Sequence, residues 1–450
     1  RTVTRSMRSL LLRDYIQRAL YSGGSSYFSK EVVRCMEHPL PFAKMLGEAD
    51  YRKALSQEYS KSNRSWLTPT EIFQPHYANA IARSIVARHR RLYPGERLRL
   101  LEIGGGNGTS ASGILACLRD EFPDVYARCQ LKLLEISEPL AETQRERLRA
   151  SGFGDERFEV INEDAVAWAE RASAPLQGPW HVVALEVLDN LPHDKLRVPA
   201  AGGTLAEAHA VELFSDSAGA TAGALHGAPS SGRWREEFRP LDDPTLAHVS
   251  KLLGIDAPDG VAALHDAMIE RPTVGGGRSI PIAARIQRWM RPMLGNSAAH
   301  MDVFVPTTCW KLLQALAQAV PEHQLTLADF SWLPPQPGGA VNAPVVQSQR
   351  GGMARDHNGD VYAAAAAGGE CDILFATHFD SLERLCVAAG HSNVQTLSTA
   401  SFMTMHATVA ATGTRCGYNP LLEDFANTSI LTTGGETVQW EGERPPDLLY

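Results

Sequence analysis

The sequence predicts an α/β protein centred on a mostly parallel sheet with helices on both faces. Three observations carry this. Apolar strand-like runs alternate four times with helix-compatible stretches between residues 76 and 200, the spacing that builds βαβ units. The first strand runs directly into a glycine loop, Gly104-Gly105-Gly106-Asn107-Gly108, which opens a helix. Acidic residues stand at the ends of successive strands: Glu135, then Glu163 and Asp164, then Glu186.

Taken in order, residues 1–20 hold five arginines (Arg1, Arg5, Arg8, Arg13, Arg18) against one acid, Asp14. That composition describes an organellar transit segment. It equally describes the first amphipathic helix of the fold, because Leu11, Tyr15 and Ala19 recur at helical spacing. Residues 10–22 are assigned to the folded protein. A helix is expected over 76–93, a strand over 98–103, a helix over 109–121 and a strand over 131–136. Next come a helix over 139–150, a strand over 158–162, a helix over 164–171 and a strand over 181–185 that ends at Glu186. Residues 200–235 are rich in Ala, Gly and Ser and read as a long loop or insertion. Gly275-Gly276-Gly277 marks another break. A helix over 308–319 leads into a fifth strand over 325–330. Segments 334–339 and 363–369 read as loops. A sixth strand is expected over 371–377, then a helix over 380–389. Asn419-Pro420-Leu421 reads as a turn.

Length alone allows three domains or one inflated α/β unit, and the motifs favour the second. The resulting division is 1–75, an amino-terminal targeting and lid region; 76–200, the first half of the sheet; 201–300, an insertion; and 301–450, the second half and tail. With 43 Lys+Arg against 51 Asp+Glu, the net charge is −8. This argues against a broad nucleic-acid-binding face, although Arg83, Arg88, His89, Arg90 and Arg91, and the stretch 278–291, form local basic patches. Hydrophobic residues at 44% and charged residues at 21% exclude wholesale disorder. Seven scattered cysteines without a C-x-x-C pair predict free thiols and neither a disulfide framework nor a metal site. No apolar run is long enough to predict a membrane span.

The glycine spacing is informative. A dinucleotide fingerprint needs glycine at the first, third and sixth positions, and the sixth position from Gly104 is Thr109. A P-loop needs a Lys-Ser or Lys-Thr pair, which is missing here. What remains is E-x-G-x-G-x-G, Glu102 through Gly108. It resembles the cofactor loop of class I S-adenosylmethionine-dependent methyltransferases. The resemblance implies a Rossmann-like, mostly parallel seven-stranded sheet and S-adenosyl-L-methionine as cofactor. The backbone of Gly104, Gly106 and Gly108 would lie along its aminoacid portion, and Glu102 would organise the loop and the ammonium group. Glu135 would accept the ribose hydroxyls, each charge-assisted bond worth roughly 1.5–3 kcal/mol. Glu163 and Asp164 would stand near the adenine amino group.

Further segments narrow the resemblance. They are Ser65-Trp66-Leu67-Thr68-Pro69-Thr70-Glu71; Glu186-Val187-Leu188-Asp189-Asn190-Leu191-Pro192-His193, an E-x-x-D-x-L-P pattern; Val303-Phe304-Val305-Pro306-Thr307; Asp329-Phe330-Ser331-Trp332-Leu333-Pro334; and Cys371-Asp372-Ile373-Leu374. Together they look like the MidA family, whose mitochondrial members are arginine methyltransferases acting in assembly of respiratory complex I. Two departures stand out. Many members read G-P-G-R-G in the loop, and many carry Ser-Pro-Glu where this chain has Thr68-Pro69-Thr70-Glu71. The resemblance implies Thr68 and Glu71 as further cofactor contacts, and Glu186, Asp189 and His193 as candidate catalytic residues. Full deprotonation of a guanidinium at neutral pH would cost about 8 kcal/mol. Carboxylates therefore work by pinning it in a bidentate pair and accepting its proton late. The usual arginine methyltransferases carry two glutamates around this loop; here only Glu186 is present. No Asn-Pro-Pro-Tyr follows the fourth strand, which disfavours a base amino group or glutamine as acceptor. Thr377-His378-Phe379-Asp380 either faces the acceptor or caps the next helix.

The implied setting is the mitochondrial matrix and the implied partner a complex I subunit. A second expectation is an assembly or structural factor docking to a large complex such as a mitochondrial ribosome assembly intermediate, where RNA contact or methylation would arise only within the particle.

Overall fold

Seven strands form the central sheet of the computed structural model, which describes residues 8–22, 26–29, 35–36, 38–61, 67–200, 202–213, 233–269, 271–272, 278–279, 299–350, 353–363 and 371–435. Arg1, Arg5, Ser65, Trp66, the Gly275 break, the basic stretch after Ser279 and most of the expected loops at 214–232 and 364–370 lie outside the described residues. The strands are β1 (Arg99–Ile103), β2 (Gln130–Glu135), β3 (Phe158–Asn162), β4 (Trp180–Leu185), β5 (His323–Phe330), β6 (Gln395–Ser398) and β7 (Thr428–Thr432). Their order is β6-β7-β5-β4-β1-β2-β3. β3, β2, β1, β4 and β5 pair in parallel, and β7 enters antiparallel between β5 and β6.

Seven helices cover the two faces: α1 (His76–Leu92), α2 (Thr109–Glu121), α3 (Glu138–Ala150), α4 (Ala165–Arg171), α5 (Thr307–Ala319), α6 (Phe379–Ala388) and α7 (Thr399–His406). Side chains alternate along a strand, so Leu100 packs with α1, α2 and α7 while Leu101 and Ile103 pack with α4, α5 and α6. β4, Trp-His-Val-Val-Ala-Leu, is buried almost throughout, as expected of a parallel strand covered on both faces. In-register pairing brings the carboxyl ends of β1, β2, β3 and β4 to one edge: Ile103 lies opposite Leu134 and Ala184, and Glu135 opposite Asn162.

The sequence expectation fails in three places. Cys371–Leu374 is a strand, but it pairs with Val345–Arg350 in a separate three-stranded antiparallel sheet. The sixth and seventh strands of the central sheet are instead Gln395–Ser398 and Thr428–Thr432, neither of which the sequence pattern predicted. The region after 200 is also not loop throughout. Ala206–Leu213 and Arg233–Pro240 pair along their length, joining Ser9–Leu11, Asp194–Pro199 and His300–Val305 in a five-stranded antiparallel sheet. The helix Leu12–Tyr21 sits between these two smaller sheets, its Leu12, Tyr15, Ile16 and Leu20 packed on Ala208, Ala210, Val346, Ile373 and Phe375. Arg13 fastens it by donating to Asp194 (2.6 Å) and Asp243 (2.5 Å).

Candidate active site

A groove of about 1160 Å³, its open mouth included, runs along the carboxyl edge of the sheet. Its floor is the turn after β1. Gly104, Gly106 and Gly108 all have left-handed backbones (φ +64°, +52° and +76°), a conformation that disfavours any residue with a Cβ. At Gly108 an added Cβ would come within 3.3 Å of the Gln144 backbone, so the tight turn and close helix approach both require glycine there. Gly108 then starts α2, presenting the helix N-terminus beside the groove. Gly108 itself supports the groove from outside its lining.

Carboxylates dominate the walls. Glu102 is buried, lines the groove, and its Oε2 has no hydrogen-bond partner. Burial, reinforced by the nearby Glu135, pushes its carboxyl up to about 7, against the pull of Ser110. Glu135 accepts from the Ser137 amide (2.9 Å) and from Gln144 Nε2 (3.0 Å). Burial pushes it too up to about 7. Glu163 pairs with Arg171, and Asp164 caps α4 by accepting from the Ala167 amide (2.9 Å). Both reach the groove.

Thr68 caps the short helix Pro69–Ile72 and lines the groove with Thr70 and Glu71. Glu71 is an organiser more than a free ligand. Its Oε1 accepts from the Thr109 hydroxyl and from Asn107 Nδ2 (3.4 Å), and its Oε2 from the Met36 amide (3.1 Å). It thereby ties an amino-terminal segment to the glycine loop. Gln17 and Tyr21 of the first helix, with Phe28, close the groove from above; Tyr21 stacks on Phe28 (5.2 Å) and donates to the Asn190 carbonyl (3.0 Å).

Glu186 follows β4 and faces the groove. Its backbone is left-handed (φ +56°), unusual for a residue with a Cβ. Burial, then Asp329 and Glu71, push its carboxyl well above the usual range. Asp189 and His193 are not brought to the groove. The turn Leu188–Asn190 reverses the chain after Val187, so Asp189 is buried beneath the site. Its carboxyl is driven up by burial and by Asp329, Asp372 and Glu186. His193 lines a different cavity, flat against Phe375 (4.0 Å, 12°), with Nδ1 on the Leu191 carbonyl (2.8 Å). Burial lowers its pKa to about 4, which fixes it as a neutral donor to that carbonyl. The chain continues into a strand, Asp194–Pro199. His378 caps α6 by accepting from the Ser381 amide (3.3 Å) and also lines that second cavity.

Gln144 was not legible as a site residue, yet its Nε2 bridges Glu135 and the Gly106 carbonyl (2.9 Å). Only its place nearly two turns into the helix after β2 could have drawn attention to it. Asp329 was visible within a family-like segment but carried no role.

The groove fits S-adenosylmethionine on its own chemistry. An orphaned buried carboxylate, Glu102, awaits a cation, and Glu135 offers lone pairs to hydroxyls. Order β6-β7-β5-β4-β1-β2-β3, a glycine turn after β1 and acids at the carboxyl ends of β1, β2 and β4 define a class I S-adenosylmethionine-dependent methyltransferase. Residues 80–397 match the family described as "Putative S-adenosyl-L-methionine-dependent methyltransferase", and the chain belongs to that MidA-like family. Two solved structures from Burkholderia thailandensis share the fold. One, a superfamily member bound to S-adenosyl-homocysteine, is 16% identical with a TM-score of 0.56, covering 94% of this chain and 87% of that one. The other, solved without that ligand in its description, is 15% identical with a TM-score of 0.53 and the same coverage. No curated protein matches the chain in sequence.

Proposed function

We propose that this methyltransferase modifies the guanidinium group of a protein arginine, on a complex I subunit in the mitochondrial matrix. The observation that carries the reading is charge. The described lining of the groove includes Glu71, Glu102, Glu135, Glu163, Asp164 and Glu186 and no Lys, Arg or His. Such a groove favours cations and repels anionic acceptors. The resemblance to the mitochondrial MidA members supports the compartment, whereas Arg13 and Arg18 of the arginine-rich start belong to the folded helix Leu12–Tyr21.

When bound, S-adenosylmethionine supplies an electrophilic methyl group for in-line displacement. The chain's own residues bind, align and take up the proton. Glu186, at the end of β4 and opposite α5 residues Thr308 and Leu312, is placed to pin the acceptor nitrogen. Burial keeps it protonated in the free protein, so it must ionise before it can pin the acceptor or take up its proton. Arrival of a guanidinium cation would lower its affinity for protons, so acceptor binding releases a proton from Glu186. Tyr21, Phe28 and Leu191 exclude water from the acceptor end.

The test is transfer of labelled methyl groups to an arginine-containing complex I subunit, with the site read by mass spectrometry. Glu186→Gln should reduce turnover by about 10²–10⁴-fold and leave S-adenosyl-homocysteine affinity unchanged. Methylation on another residue type, or full activity of Glu186→Gln, would overturn the reading. A second reading, a docking or assembly factor, is favoured by the five-stranded and three-stranded antiparallel sheets built outside the methyltransferase sheet. Co-purification with a mitochondrial ribosomal particle, undisturbed by Glu186→Ala, would support it.

A further inference from the structure

Asp329 ends β5 and is almost wholly buried. Its Oδ1 accepts from the Phe330 amide (2.7 Å) and its Oδ2 from the Asp189 amide (3.0 Å). The amides of Leu188 and Val187 are also aimed at it. One carboxylate thus bonds the Asp189 amide and faces the two N–H groups before it in the loop after β4, a concave run of amides turned toward an anion.

The residue just before that loop is Glu186. Its own amide donates to the carbonyl of Ala328 (2.8 Å), the neighbour of Asp329. The end of β5 therefore grips Glu186 from both sides, through Ala328 on its N–H and Asp329 on the amides that follow. A left-handed glutamate persists only where its surroundings over-determine it, and these bonds are the ones that do so. The far side of the loop is fixed separately, by the Phe375 amide on the Asp189 carbonyl (2.8 Å) and by Asn190 on Asp372 (2.9 Å).

We propose that Asp329 is the positioning residue of the acceptor site, holding the loop 187–189 by its amides and so fixing where Glu186 presents its carboxyl. The inference rests on the reading of Glu186 as the acceptor-facing group. A second consequence follows from charge. The titratable groups facing Glu186 are Asp329, Glu71, Asp189 and the buried phenol of Tyr77. None is a cation, so every ionised neighbour holds the Glu186 proton on. Removing the Asp329 charge takes away the largest of these neighbours and moves the Glu186 titration to lower pH.

The experiment uses the full chain with Asp329→Asn, which keeps size and one acceptor oxygen, and Asp329→Ala. Amide hydrogen exchange is followed at Val187, Leu188 and Asp189, and the Glu186 carboxyl is titrated by carbon NMR. Calorimetry with S-adenosyl-homocysteine reports that the groove is intact. Exchange at the three amides should quicken by about tenfold in Asp329→Ala and by less in Asp329→Asn. The Glu186 midpoint should fall in both, with ligand affinity held within about twofold. If Asp329→Ala fails to bind ligand, Asp329→Asn carries the test. Parental exchange together with a parental Glu186 midpoint would overturn the proposal. None of these readouts needs a methyl acceptor. If the shifts occur while the parent methylates no arginine, Asp329 keeps its role and the arginine reading alone falls.

Discussion

Replacing Glu102 by Gln should make the ligand-free protein more stable and its cofactor weaker. In the folded chain the Glu102 carboxyl is pushed from 4.5 up to about 7 by burial. A raised carboxyl means the fold binds more protons than the unfolded chain between those two values. Stability is therefore greatest below pH 4.5, falls as pH rises to 7, and carries the full penalty above it. That penalty is about 3 kcal/mol, from 1.36 kcal/mol per pH unit across the interval. Glu102→Gln removes it, so the variant gains about that much at pH 8 and almost nothing at pH 4. The same change deletes the charge that awaits the cofactor ammonium. Loss of one charge-assisted bond, about 1.5–3 kcal/mol, corresponds to roughly 10–150-fold in affinity. Urea denaturation of the ligand-free proteins at pH 4 and pH 8 measures the first effect, and titration calorimetry with S-adenosyl-homocysteine at pH 8 the second. A variant no more stable than the parent at pH 8, or one that binds the ligand equally well, refutes the reasoning.

Other perturbations follow from single contacts. Gln144→Ala leaves the Gly106 carbonyl and a Glu135 oxygen without their shared donor; it should cost about 1–3 kcal/mol in urea denaturation and weaken S-adenosyl-homocysteine in calorimetry. Glu71→Gln puts a donor where the Met36 and Thr109 donors converge, so exchange at the Met36 amide should quicken by about fivefold while the circular dichroism stays parental. Arg13→Met strands Asp194, which is buried, and should cost about 3–5 kcal/mol, read as a lower urea midpoint.

The first four strands were legible because strand and helix alternate there at short, regular spacing, and their residues announce it. β4 is apolar apart from His181, and Gly104 to Gly108 mark the turn after β1. Two segments misled the sequence reading for opposite reasons, one a strand it missed and one a strand it assigned to the wrong sheet. Gln395–Ser398 is four residues and nowhere fully buried, so it carries little apolar signal. Cys371–Leu374 carries that signal strongly, but an apolar strand does not encode its partner. Its partner is Val345–Arg350, and Asp372 within it bonds Asn190. The five-stranded sheet joins pieces from residue 9 to residue 305, a pairing no local period can reveal. The site divides along the same line. Carboxylates fixed by a strand end, such as Glu102, Glu135 and Glu186, were found from spacing. Asp189 and His193 were misplaced because the three-residue turn at Leu188 sends their side chains behind the groove. Asp329 was overlooked because its role lies in amides contributed from another segment.

The central claim is that the glycine turn after β1 holds S-adenosylmethionine. Calorimetric titration of the full chain with S-adenosylmethionine, beside Gly106→Val, tests it most directly. At Gly106 the backbone is left-handed (φ +52°) and lines the groove, a conformation that a β-branched side chain strains. The account predicts one binding event for the parent and none for a Gly106→Val protein whose circular dichroism is unchanged. A parent that produces no binding heat across temperatures, or a folded Gly106→Val protein that binds as the parent does, would contradict it.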